Sequence, residues 1–227
     1  MESRVSYRMI PNSALYYQGE EASWTEFLER LSAKHLSQKD LIGMLGGRFM
    51  PFHQGHFQTL EALTRHYSHV HVGIVNPDPW NTLLKGDRFT LDKNFLTYAE
   101  RVEMVTAALE ALSCHATIAP YYPIREYNER VFWNFTPGNP EVTVEHLAVR
   151  DDFDRWKKER WVEERKTFVE VPLICRESQP YGATEIRRMM LEGSEEWRQW
   201  LPSFTADVID QYHIVERLRD LSTKREL

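Results

Sequence analysis

A chain of 227 residues, 42% of them hydrophobic, can bury one sizeable core, and one α/β domain with peripheral additions fits better than two independent domains. A formal net charge of −6 argues against a broad nucleic-acid footprint, although Arg187 and Arg188 could together grip one small polyanion. Cys114 and Cys175 have no CxxC spacing, no signal-like apolar segment opens the chain and no apolar run is long enough for a bilayer, a pattern that fits a reduced, cytoplasmic protein without a membrane partner.

Residues 1–22 read as polar and irregular. Ser23 and Glu26 then make a capping-box pattern ahead of Trp24, Phe27, Leu28, Leu31 and His35 at helical spacing, which predicts an amphipathic helix over 23–36 inside an N-terminal extension, 1–40. That helix could pack on its own core or on a partner subunit, so a homo-oligomer stays open. "LIGMLGG" at 41–47 is short and nearly all apolar, as strands covered on both faces tend to be. Phe57, Leu60, Leu63 and Tyr67 give one apolar helical face, and "HVHVGIVN" at 69–76 alternates like a second strand, so the stretch reads as a βαβ unit.

Residues 77–96 carry prolines and charge without a period and are expected to form a long loop over the sheet's carboxyl edge. Thr97 with Glu100 repeats the capping-box pattern and opens a helix that buries Val102, Val105, Leu109 and Leu112. Strands are expected near 115–120, 142–149 and 167–174, with the helix "DDFDRWKKERWVEERK" between the last two. The tail holds "ATEIRRMMLEG", stopped by Gly193, then a tryptophan-rich turn, Pro202 and one last helix carrying Val208, Tyr212, Val215 and Leu218. The order implies a Rossmann-like, doubly wound parallel sheet over 41–200, with a C-terminal helix over 201–227 packed on it.

In such a sheet the loop after the first strand delivers backbone N–H groups at a helix start, and "GGRFMPFHQGH" places His53 and His56 there. Gly47 and Gly55 permit close approach of backbone to a ligand, Pro51 stiffens the turn, and the imidazoles are candidate hydrogen-bond donors to a triphosphate. A metal site is the weaker reading of that pair, because two histidines need a third ligand. His66, His69 and His71 straddle a helix end and a strand and are read as structural. Trp133 could stack on a base or pack in the core; Trp156 and Trp161 read as packing residues, and Asp151 and Asp152 as helix caps.

These residues carry a resemblance. "GRFMPFHQGH" is similar to the GRFxPxHxGH signature of the nucleotidylyltransferase superfamily, relatives of class I aminoacyl-tRNA synthetases, and "ATEIRRMMLEG" resembles its second signature, which holds the β and γ phosphates. "NFLTYAERVEM" and "GSEEWRQWLPSFTADVI" look like segments of the archaeal-type nicotinamide mononucleotide (NMN) adenylyltransferases, and the likeness covers about 41–215. It implies transfer of a nucleoside monophosphate from CTP or ATP to a small phosphonate or a mononucleotide, with Mg2+ held mainly by the nucleotide and not by a protein metal site. The residues it implies as catalytic are His53, His56, Lys93 and Arg187. Gly47, Arg48, Phe49, Gly55, Arg150, Asp152, Ala183, Thr184 and Arg187 would bind the nucleotide, and Arg48 and Trp133 the acceptor.

The pattern also departs from that group. Arg150, Asp151 and Asp152 stand where the NMN enzymes carry T-G-N, Gly182 stands where a serine is usual, and residues 77–94 are longer. "NPDP" with "TYAER" looks more like the cytidylyltransferases of phosphonate pathways, which puts CTP-dependent cytidylylation of a small, phosphonoformate-like phosphonate slightly ahead of NMN adenylylation. A non-catalytic nucleotide-binding module is disfavoured by the intact His53, His56 and Arg187, and an RNA-linked role by the acidic charge.

Overall fold

The computed structural model describes residues 13–76, 90–121, 141–149, 152–171 and 182–223. Seven strands form one sheet: β1 (Ala14–Tyr17), β2 (Glu20–Ala22), β3 (Ile42–Gly47), β4 (His69–Val75), β5 (Ala116–Tyr121), β6 (Thr143–Ala148) and β7 (Phe168–Val171), in the order β2-β1-β7-β6-β3-β4-β5. The five strands from β7 to β5 are parallel, and β1 runs antiparallel to β7. Strand β3 lies between β6 and β4, so the chain winds outward from it in both directions, and the expected Rossmann-like sheet is observed.

Seven helices surround it among the described residues: α1 (Trp24–Ser32), α2 (Gln54–His66), α3 (Tyr98–Ala111), α4 (Asp152–Glu163), α5 (Ala183–Glu192), α6 (Ser203–Gln211) and α7 (Ile214–Thr223). The predicted caps of α1 and α3 form: the Ser23 hydroxyl accepts the Glu26 N–H, Thr97 does the same for Glu100, and each glutamate accepts the N–H of its cap residue. Helix α1 ends at Ser32, short of the predicted 36.

Two expectations are corrected. Within the stretch expected to be irregular, residues 14–22 form a hairpin whose turn is Gln18-Gly19, with φ of 52° and 83°, the primed-turn geometry that matches strand twist. A Cβ on Gly19 would lie 2.3 Å from the Val162 carbonyl oxygen, so the turn is also a close contact with α4. The single last helix is two, broken at Tyr212-His213, where His213 has φ of 50°. Of the expected loop 77–96, Leu91–Lys93 is a 3-10 turn, and 77–89 lies outside the described residues. Glu195–Trp200, the tryptophan-rich turn, is likewise 3-10.

Alternation along the strands sends Leu45, Val70, Val72, Ile74, Val144 and Val169 into the main core, together with the apolar faces of α1, α2, α3, α5, α6 and α7. On the other face Leu147, Phe168 and Trp161 of α4 form a smaller cluster. There Tyr121, at the end of β5, lies across two neighbouring strands: a Cβ on Gly73 or Gly46 would come within 2.8 or 3.0 Å of it. Its hydroxyl donates to Glu145 on β6, and Lys166 closes the group at 2.8 Å from Glu145 and 3.0 Å from Tyr121. Burial and the adjacent carboxylate push the Tyr121 phenol well above its ordinary value, so it stays protonated as the donor.

Candidate active site

The crevice beyond the carboxyl ends of β3, β4 and β6 is where this topology collects ligand-binding groups. The chain leaves β3 at Gly47 and turns through Phe49, a non-glycine residue at φ 52° whose ring is buried. A Cβ on Gly47 would lie 2.5 Å from that ring, so the missing side chain at 47 makes room for Phe49. Gly47 therefore has a packing role in this turn. Phe49 in turn meets the His56 ring edge-on at 5.0 Å, and Phe52 tilts against His56 at 5.5 Å.

His53 and His56 build the start of α2 in the manner of a capping box. His53 is the N-cap; its Nδ1 accepts the Gly55 N–H at 3.2 Å, and the Nδ1 of His56 accepts the His53 N–H at 3.3 Å. The two rings stack at 3.7 Å. With both Nδ1 atoms used as acceptors, the hydrogen of each neutral imidazole sits on Nε2, on the far side of the ring from the helix backbone. The arrangement fixes two donors side by side at the positive end of a helix dipole.

The second motif starts α5 differently. Gly182 is its N-cap and offers no side chain, so none caps the first helical N–H groups. Thr184 is exposed and Ala183 half-buried at that start. Arg187, buried, donates from Nη1 to the Met50 carbonyl at 2.9 Å and from Nη2 to the Thr184 hydroxyl at 3.2 Å, and so ties the second motif to the first. Burial lowers the Arg187 guanidinium from its ordinary value and the charge of Asp92 opposes that, which places the Leu91–Lys93 turn electrostatically beside α5. Lys93 is half-buried on this turn, which packs against α7. Helix α7 also reaches both neighbours: Arg219 donates to the Met190 carbonyl at 3.0 Å, and Arg217 to Glu100 at 2.8 Å.

Sequence reasoning missed Arg101. Its side chain is fully buried and donates to four carbonyls: Thr97 at 3.1 Å, Arg48 at 3.1 Å, Val75 at 2.8 Å and Asn76 at 2.8 Å. Asn76 follows β4 at φ 53° and donates to Asn94 at 3.1 Å, whose amide donates to the Thr90 carbonyl at 3.0 Å. The available signal was a charged residue beside the apolar stripe of α3 and an asparagine directly after a strand.

Of the other expected site residues, Arg48 is half-buried just after β3, Gly55 is buried in the first turn of α2, and Arg150 and Trp133 lie outside the described residues, as does Asp151. Asp152 opens α4, is almost fully exposed and pairs with Arg155. His69 and His71 meet edge-on at 4.9 Å, and His69 contacts the Thr117 hydroxyl at 3.0 Å. Burial and the His69 charge lower His71 from its ordinary value. Trp161 is buried, as expected of a packing residue, and Arg160 stacks over Trp156. No described group of three or more His, Cys, Asp or Glu is placed to hold a metal ion, and no described helix is long and apolar enough to cross a membrane.

Comparison with known proteins agrees with this geometry. A nicotinamide-nucleotide adenylyltransferase of Methanothrix thermoacetophila is 33% identical over 187 residues, covering 80% of this chain and 96% of that protein. A phosphonoformate cytidylyltransferase of Streptomyces viridochromogenes is 31% identical over 182 residues, covering 78% and 95%. Among solved structures, a bifunctional NMN adenylyltransferase/ADP ribose pyrophosphatase of Francisella tularensis, complexed with AMP and a manganese ion, aligns with a TM-score of 0.52 at 16% identity. It covers 79% of this chain, which spans 52% of that one, and the likeness shows the fold alone. The model of the cytidylyltransferase-like family matches residues 44–210, and the chain belongs to that family of nucleotidyltransferases.

Proposed function

We propose that this enzyme transfers CMP from CTP to a small phosphonate, releasing diphosphate. The observation that carries the reaction class is a pair of motif-bearing helix starts, the His53/His56 cap of α2 and the open N-terminus of α5, tied together by the Arg187 to Met50 bond. Both ends present positive dipoles and hydrogen donors, as a triphosphate requires. The observation that favours CTP and a phosphonate is the Arg150-Asp151-Asp152 sequence that follows β6, where the resembling NMN enzymes carry T-G-N.

The chemistry asks little of the protein beyond alignment and charge. A phosphonate is largely ionised at neutral pH and attacks the α phosphorus without a general base, so in-line placement and donors to the oxygens that gain charge supply the rate. The Nε2–H groups of His53 and His56 serve the α phosphate and the departing diphosphate, and Arg187 with the α5 start holds the outer phosphates. Lys93 adds charge from the 91–93 turn. Mg2+, held mainly by the nucleotide, would supply further neutralisation, and Asp92, whose charge reaches Arg187, is the carboxylate that would help hold it.

A second reading, NMN adenylylation, is favoured by the adenylyltransferase of Methanothrix thermoacetophila, which matches this chain over nearly its whole length. Diphosphate release, with CTP and ATP crossed against phosphonoformate and NMN, tests both. Release from CTP with the phosphonate is the expected result; release from ATP with NMN alone overturns it in favour of the second reading.

A further inference from the structure

We propose that Arg101 is a positioning residue for the transfer reaction. This rests on the functional reading above and assigns a part to a side chain that reading does not use. A fully buried guanidinium is costly unless its donors are matched, and Arg101 spends its bonds on the carbonyls of Arg48, Val75, Asn76 and Thr97. Arg48 follows β3 and leads into the His53 loop, Val75 and Asn76 close and follow the adjacent β4, and Thr97 caps α3. One side chain therefore sets the relative height of two strand-end turns that frame the crevice.

The two turns are those that most need holding. Phe49 and Asn76, the residues that bend away from β3 and β4, both take the left-handed conformation, at φ 52° and 53°, which is uncommon for non-glycine residues and strained for a bulky one such as Phe49. Bonds from Arg101 to the carbonyls of Arg48 and Asn76 flank both bends. The same guanidinium also places a permanent positive charge under carbonyl oxygens that would otherwise turn their negative ends toward a polyanion. Position and charge are separable, because lysine keeps the charge but cannot reproduce the planar fork that spans four acceptors.

The test compares Arg101→Lys and Arg101→Met with the wild-type chain, at a temperature where melting curves show each fully folded. Diphosphate release gives kcat and KM, and calorimetry gives the affinity for inorganic tripolyphosphate, which needs no turnover. Arg101→Lys is expected to lose about ten- to a hundredfold in kcat, the scale of a 1 Å misplacement, while keeping tripolyphosphate affinity near wild type. Arg101→Met should weaken that affinity as well. A folded Arg101→Lys with wild-type kcat overturns the proposal, as does a loss of kcat that only follows the folded fraction. If Arg101→Met does not fold, Arg101→Lys decides alone. No diphosphate from the wild-type chain with any nucleotide and acceptor would instead remove the functional reading; equal tripolyphosphate affinity in wild type and folded Arg101→Met would then overturn the present proposal separately.

Discussion

Helices α1 and α3 on one side, and α2 and α5 on the other, begin in contrasting ways. The first two close their N-termini with a hydroxyl and a carboxylate, Ser23 with Glu26 and Thr97 with Glu100, which satisfies orphan N–H groups and adds a negative charge where the dipole is positive. Helix α2 makes the same pattern of bonds with two imidazoles, and α5 has no side-chain cap. The positive potential that α1 and α3 cancel is thus retained at α2, whose first turn holds no acid, while the only acid in the first turn of α5, Glu185, is paired with Arg188; these are the two starts that carry the superfamily motifs. A cap built from histidine satisfies the backbone through Nδ1 and keeps a donor on Nε2 across the ring; glutamate has no donor to offer, and the hydroxyl donor of Ser23 is already given to Glu26.

The largest expected effect separates those two tasks. His56→Asn retains an acceptor for the His53 N–H but removes the Nε2 donor, and His56→Ala removes both. Both variants should lose on the order of 10² to 10³ in turnover, the scale of about 2.7 to 4 kcal/mol for one donor aimed at developing charge, with only the alanine variant also losing cap stability. Near-normal turnover in either folded variant would sink the assignment.

A purely structural histidine should behave in the opposite way. His146 is buried and pushed down to about 4, chiefly by desolvation, against an ordinary 6.5. It contacts the Val144 carbonyl at 3.2 Å and the Tyr67 hydroxyl at 3.4 Å. The folded protein keeps this ring neutral while the unfolded chain protonates it, so its contribution is complete above pH 6.5 and is lost between 6.5 and about 4, up to roughly 3 kcal/mol. Denaturant melts across that window should show stability falling with pH, and His146→Leu should flatten the slope. An unchanged slope would refute the account.

Smaller effects sharpen the contrast between caps. Thr97→Ala should cost about 1 kcal/mol in a denaturant melt and leave kcat near wild type. Gly182→Ser supplies the missing cap at a position where a Cβ meets nothing within 4 Å, and should raise stability by a few tenths of a kcal/mol. A clear loss of stability there would mean that the α5 start needs to stay bare.

Much of this was legible in the sequence because it is local. The caps of α1 and α3, the apolar run of β3 and the αL stop of α5 at Gly193, φ 79°, are each fixed by residues within a few positions. The hairpin at 14–22 was signalled by Gln18-Gly19 but obscured by the polar, exposed residues of β2. The break at Tyr212-His213 has neither glycine nor proline to announce it. At the site, the histidines and Arg187 could be read from their motifs, whereas the work of Arg101 could not: its partners at 48 and 75–76 are distant in sequence and are all backbone, which no residue type reports.

The bond between Arg187 and the Met50 carbonyl joins residues 137 positions apart. Contacts of such separation carry a large loop-closure cost and form once much of the intervening chain is in place. A partly folded chain can therefore own a finished α2 with its histidine pair and still lack the other half of the crevice. Nucleotide, by binding the assembled form alone, would draw the folding equilibrium toward it, so that the substrate acts as a late inspector of the chain's own completion.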